Sequence, residues 1–308
     1  MQVRVLGAAA GGGFPQWNAN SEACRRARAG DPAARPATQA SIAVSADGRR
    51  WVLLNASPDL RQQIEATPTL HPADGLRSSP IAAILLTNAD VDAIAGLLHL
   101  REGTSFALHA HARVLAVLDR NPVFEAVDRG LVPRRALEPE TELELADAQG
   151  VPLGLRVRPF LAPGKLPLYL EDETGGALDT QALEGDTLGL EVTADGRRLV
   201  YLANCARLTE PLLERIAGAE VLFLDGTLWR DDEMIREGSG EKTGRRMGHI
   251  SASGPDGAIA AFARLAVRRK IFIHVNNSNP LLLADSAERA EAAAAGWEVA
   301  SDGMEIVL

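Results

Sequence analysis

A chain of 308 residues with 46% hydrophobic and 24% charged side chains has the apolar content of a globular protein, enough for one large core or two average ones. No apolar run approaches the roughly 20 residues of a spanning helix, which argues against membrane insertion. A net charge of -9 and a pI near 5.3 disfavour nucleic acid as a partner, because binding phosphates needs a concentrated basic surface.

From the amino terminus, Met1 leads straight into a strand-like Val3-Arg4-Val5-Leu6 without the regions of a secretory signal, so the cytoplasm is the expected compartment. The basic patch Arg25-Arg26-Ala27-Arg28 is short and reads as solvated. Cys24 and Cys205 are the only cysteines, which indicates neither a disulfide framework nor a thiolate zinc cage. Strand patterns run over 40–45, 51–55 and 80–87, then over 188–193, 198–202, 220–225 and 270–275. Between them, 91–102, 209–217, 255–266 and 286–295 carry apolar residues at helical spacing, with Asp90, Thr209 and Ser286 placed to cap. A Gly/Asp/Glu-rich stretch over 171–186 reads as a loop and divides a single domain into pseudo-halves of about 1–170 and 187–308. A second polar stretch, 231–247, is long enough to be a lid over a site.

Polar residues crowd the end of the apolar run Leu85-Leu86-Thr87-Asn88-Ala89-Asp90-Val91-Asp92-Ala93, where α/β proteins place ligands at the carboxyl end of a strand. The bland alternative is an acidic helix start favoured by the macrodipole. Near the amino terminus, the glycine-rich turn of Leu6 to Asn18 lets backbone approach a ligand closely. There Gln16, Trp17 and Asn18 can recognise a polar aromatic molecule, unless the segment is simply a tight turn with a half-buried Trp. Asp225 closes an apolar strand before Gly226, and His274 follows another apolar run before Asn276 and Asn277. His249 is either a proton donor, a substrate contact or a helix cap near Ser253. His109 and His111 have chelating spacing but no nearby carboxylate in sequence and are set aside, as are His71 and His99.

Taken together, four stretches resemble the PqqB family of the metallo-β-lactamase-fold superfamily: 6–18, 54–63, 245–250 and the strand end at 85–97. The resemblance implies an αββα sandwich, two mixed β-sheets flanked by helices. The superfamily's metal motif, T-H-x-H-x-D-H-x-x-G-L, is matched at Thr87, Asp92, Gly96 and Leu97, but Asn88 and Asp90 replace the leading histidines. Asn204 stands where hydrolases carry a bridging Asp, so a two-metal hydrolase is not implied. PqqB proteins keep the final Asp-His pair, which here reads Asp92-Ala93. The implied ligands are Asp92 and His274, with Asp225 as a ligand or as the partner of one, and with Ala93 at a vacated ligand position. By the same resemblance, Ser57, Asp59, Asn276 and Asn277 join Gln16, Trp17 and Asn18 as substrate contacts, and His249 and Asp90 are the catalytic candidates.

The family implies a mononuclear Fe(II) centre and an O2-dependent hydroxylation of the tyrosine ring in the Glu-Tyr precursor of PQQ. Iron is expected to bind weakly or incompletely here, because alanine has no donor atom. The alternative is a soluble carrier of PQQ or its precursor towards the periplasm, and a homodimer is the one protein association allowed for. The family's C-x-C-x-x-C loop, which holds a structural zinc, reads Ala19, Ser21 and Cys24; no zinc is expected there, and packing must hold the loop. The change at 93 reads either as a deliberate His-to-Ala exchange or as natural loss.

Overall fold

Alternation along the strands decides the architecture. In β4 (Ile81–Leu86) Ala83 and Leu85 join one apolar cluster while Ile84 and Leu86 join another; in β11 (Val221–Asp225) Val221 and Phe223 likewise oppose Leu222 and Leu224. Every residue of both strands is buried, as in sheets covered on both faces. The computed structural model describes residues 1–165, 167, 169 and 185–308, and within them two seven-stranded sheets pack face to face.

The first sheet has the order β14 (Glu305–Val307), β1 (Gln2–Gly7), β2 (Ser41–Ser45), β3 (Trp51–Leu54), β4, β5 (Ala107–Ala110) and β6 (Arg134–Ala136). The second runs β13 (Trp297–Val299), β12 (Arg269–Ile273), β11, β10 (Arg197–Leu202), β9 (Leu188–Ala194), β8 (Pro152–Leu161) and β7 (Leu143–Ala146). Each sheet is mixed, with antiparallel pairing on one side and parallel pairing from β3 to β6 and from β10 to β13. One core, including Val5, Leu54, Leu85, Tyr201, Phe223 and Ile273, fills the space between the sheets; two further clusters lie under the outer helices. The boundary between the sheets differs from the division expected at 171–186. Residues 143–161 already belong to the second sheet, and β14 returns to the first, so the halves change between Ala136 and Leu143. Of the stretch 171–186 itself, all but Gly185 and Asp186 lies outside the described residues.

Two expected helices are shorter than their apolar spacing suggests. The pattern over 91–102 forms α3 (Val91–Ile94) and then a 3-10 turn, Ala95–Leu100. The cause is close packing at Gly96, whose N–H donates to Ala56 O at 2.8 Å and where a β-carbon would stand 2.1 Å from Ser57 O. The pattern over 255–266 gives only Ala258–Ala261, preceded by Gly257, which packs on the backbone of Ser253. The other two form as expected, Glu210–Ile216 and Ala287–Ala294, the latter capped by Ser286 Oγ accepting from Arg289 N–H. The stretch 231–247 holds a short helix, α6 (Glu233–Glu237), and a 3-10 turn, Arg245–Met247.

The loop after Trp17 is held without the cysteine cluster. Arg28 donates to the carbonyls of Gln16 and Ala19, Arg25 donates to that of Asn20, and Ser21 Oγ accepts from Cys24 N–H at the start of helix Glu22–Arg28. Beneath it Ala9, Phe14, Cys24, Ala27 and Ala34 form a small apolar cluster.

Candidate functional site

The carboxyl ends of β4, β10, β11 and β12 converge on a cavity of about 820 Å³. At the end of β4, Asn55, in a left-handed conformation at φ 65°, accepts from Thr87 N–H at 2.9 Å and donates from Nδ2 to Thr87 Oγ1 at 3.0 Å. This pins the point at which the polar residues begin. Asn88 Nδ2 then donates to Asn204 Oδ1 at 3.0 Å, so the two residues standing at hydrolase ligand positions bond to each other across the sheets. Asp90 and Asp92 both line the cavity. Ala93 does not: its methyl is buried in the cluster under α3, and its carbonyl accepts from Ala56 N–H at 2.7 Å.

The ends of β11 and β12 carry a denser network. Asp225 is 0% exposed and accepts four hydrogen bonds: from Cys205 N–H at 2.8 Å and His249 Nδ1 at 2.7 Å on Oδ2, and from Thr227 N–H at 3.0 Å and Thr227 Oγ1 at 2.7 Å on Oδ1. An unshared carboxylate oxygen only accepts, so His249 carries its proton on Nδ1 and leaves Nε2 free. The Thr227 hydroxyl also lies 2.8 Å from His274 Nδ1. Since its single proton goes to Asp225, it accepts from His274 Nδ1–H, which turns His274 Nε2 towards Asp92 Oδ2, 2.8 Å away. The two imidazoles stack with centroids 5.2 Å apart, and His274 holds a strained φ of 59°.

The charges follow from this packing. Burial and the neighbouring Asp92 push the Asp90 carboxyl up. Burial would also raise Asp92 and lower His274, but the hydrogen bond between them and their opposite charges prevail, so Asp92 is held down and His274 is lifted.

Asp225, His249 and His274 are the group whose ligating atoms lie within 4.8 Å of one another among the described residues, which makes this a candidate metal site. Its oxygen and nitrogen donors suit first-row divalent ions. Asp92 Oδ2 and His274 Nε2 are the pair that already meet at the cavity wall. Asp225, by contrast, would have to give up hydrogen bonds to ligate, and its geometry is that of the partner orienting His249.

Some of the expected residues come together at the cavity and others lie elsewhere. Gln16, Asn18, Asn276 and Asn277 line the cavity and are linked: Asn277 Nδ2 donates to Gln16 Oε1 at 2.6 Å, and Gln16 Nε2 to Asn18 Oδ1 at 2.8 Å. Trp17 does not line it and is neither a wall residue nor half-buried; at 85% exposure it points away while its neighbours face in. Ser57 and Asp59 are also absent from the wall. Ser57 Oγ bonds Gln63 Oε1, and Asp59 accepts from the backbone and side chain of Gln39, which does line the cavity. His249 caps no helix. His109 is buried in β5 between the sheets, while His111 caps helix Ala112–Arg120 by accepting from Arg113 N–H, so the two form no chelate. His71 and His99 approach backbone carbonyls. Sequence reasoning missed Thr227, Lys165 and Tyr169; the last donates to Ala89 O at 2.5 Å from the cavity wall.

Comparison with known proteins defines the class first. The β-lactamase superfamily domain matches residues 50–275, and with two packed mixed sheets this is a metallo-β-lactamase fold. A diphosphatase of the PhnP family shares that fold at 21% identity, with a TM-score of 0.68 over 99% of this chain and 96% of its own. Coenzyme PQQ synthesis protein B of Gluconacetobacter diazotrophicus is 58% identical over 302 residues, 98% of each chain, and that of Xanthomonas euvesicatoria pv. vesicatoria 54% over the whole of both. The Zn(2+)-bound PqqB from Methylobacterium extorquens superposes with a TM-score of 0.94 at 51% identity, covering 100% of each chain. The chain belongs to the coenzyme PQQ synthesis protein B family. No helix among the described residues is long and apolar enough to cross a membrane.

Proposed function

We propose that the cavity serves PQQ biosynthesis by hydroxylating the tyrosine ring of a Glu-Tyr-derived precursor, with Fe(II) as the metal and dioxygen as the oxidant. The observation that carries this reading is the meeting of Asp92 Oδ2 and His274 Nε2, 2.8 Å apart, on the wall of a cavity large enough for such a ligand, in a chain of this family. These two residues would hold the metal, which when bound supplies dioxygen activation. Position 93 adds no donor, so occupancy is weak.

The residues of the chain account for the remaining work. The linked amides of Gln16, Asn18 and Asn277 orient the ring and its polar groups. His249, fixed through Nδ1 by Asp225, presents Nε2 to the cavity as a proton acceptor, and Asp90 lines the same wall. The cytoplasm remains the proposed compartment. One observation favours a second reading, a soluble carrier of PQQ or its precursor: Ala93 is packed as an ordinary core residue.

The deciding experiment compares the native chain with Ala93→His under anaerobic Fe(II) loading, followed by oxygen and the precursor. A ligand contributes at least what its outer partners do, so iron affinity rises on the order of 10–100-fold and oxygen consumption appears with hydroxylated product. A native chain that binds PQQ without iron, together with an Ala93→His chain that gains neither iron nor turnover, would leave only the carrier.

A further inference from the structure

Among the described residues, the cavity holds one cation that the function above does not use, Lys165. Lys165 is half-buried and lines the wall with Asp90, Asn204 and His249. Its stem is fixed by Gly248: a β-carbon there would stand 2.8 Å from Lys165 Cγ and 3.0 Å from Cβ, so the aliphatic chain lies against the backbone immediately before His249. Gly248 also has a φ of +80° and closes the 3-10 turn Arg245–Met247, which gives glycine a second reason to be there. Among the described residues, no carbonyl or carboxylate accepts a hydrogen bond from the Lys165 ammonium. Asp90 feels its charge without forming an ion pair with it.

The surroundings indicate what would complete it. Asp90, Asp92 and Glu237 line the same cavity, and unopposed they would repel an anion. The amides of Gln16, Asn18, Asn204, Asn276 and Asn277 serve polar ligands of any charge, whereas an ammonium with an ordered stem selects for an anionic oxygen. We infer that Lys165 is the carboxylate receptor of the cavity, binding an acidic group of the ligand beside His249. This deepens the proposed function and rests on its assignment of a carboxylate-bearing small molecule to the cavity.

The test uses the full chain, PQQ and its trimethyl ester as probes, and the variants Lys165→Met and Lys165→Arg, with melting curves to verify folding. Loss of one charged hydrogen bond predicts that Lys165→Met weakens PQQ binding about 10- to 100-fold, while binding of the ester is unchanged and Lys165→Arg retains most of the affinity for the acid. The salt dependence of PQQ binding should also shrink in Lys165→Met. Equal weakening of acid and ester would overturn the inference, since Lys165 would then only shape the wall or position Asp90. So would unchanged PQQ binding in Lys165→Met, or a native chain that binds the ester but not the acid; in each of these cases the cavity remains a small-molecule site. A native chain that binds neither probe overturns the inference together with the carboxylate-ligand reading. Hydroxylation by Ala93→His is scored separately and can fail while the lysine result stands.

Discussion

The two strand ends that meet at the cavity differ in what holds them. At β4, the residues in ligand positions are Asn88, Asp90, Asp92 and Ala93, of which Asn88 reaches across to Asn204 and Asp92 to His274. At β11 and β12, Asp225, Thr227, His249 and His274 form one network in which a buried carboxylate has every direction filled. The contrast teaches that the hydrogen bonds fixing Nδ1 of both imidazoles are built into the second half of the chain, independently of the first.

The sharpest way to break that contrast is to remove the centre of the second network. Asp225→Ala leaves His249 Nδ1–H, Cys205 N–H and the Thr227 hydroxyl without their buried acceptor. Breaking a buried pair of this kind costs about 3–5 kcal/mol, read as a fall in the midpoint of urea unfolding. Asp92→Ala, on the other strand end, should cost clearly less in the same assay. Equal losses would show that the two ends are not energetically distinct.

A smaller effect isolates Thr227. Thr227→Val keeps the shape but removes the acceptor for His274 Nδ1–H, at about 1–3 kcal/mol, and leaves the ring held only through Nε2 by Asp92. Thr227→Ser should restore both stability and the imidazole NMR signature of the Nδ1–H form. A ring signature in Thr227→Val that matches the native one would refute the orienting role.

The same contrast explains what was legible in the sequence. The sheets were, because short continuous apolar runs such as 80–87 and 220–225 read as strands that need both faces covered. Asp92, His274, Gln16 and Asn277 were legible through motif resemblance, since each lies at a strand end or in the glycine-rich turn. The partition at 143 was not: an antiparallel hairpin can join either sheet, and nothing in 143–161 says which. Nor was the aim of Trp17, which depends on how one turn is rotated, or the role of Ser57 and Asp59, which brace Gln39 and Gln63 instead of facing a ligand. Lys165 was missed because its significance comes from Gly248, over 80 residues away, and from its place on the cavity wall beside His249.

The smallest expected effect concerns the segment over the site. Glu233, at the start of α6, accepts from Ser278 Oγ at 2.7 Å and from Trp229 N–H at 2.7 Å, and Asn276 Nδ2 donates to the same serine. Burial lifts its carboxyl from 4.5 to about 7, against the pull of those hydrogen bonds. In the unfolded chain the group ionises near 4.5, whereas the folded chain keeps the proton until about 7. The stability gained from the neutral form is thus fully present below the lower value, declines between the two, and is gone above the higher one. Glu233→Gln stays neutral at every pH, so its melting temperature should fall less than that of the native chain between about pH 5 and pH 8, with the two nearly equal at the acid end. Parallel curves would mean that Glu233 titrates in the folded chain as it does in the unfolded one and is ionised at neutral pH. In that case the tie between α6 and Asn276 would be a charged one, and the segment 231–247 would be held to the cavity as firmly at neutral pH as the network beneath it.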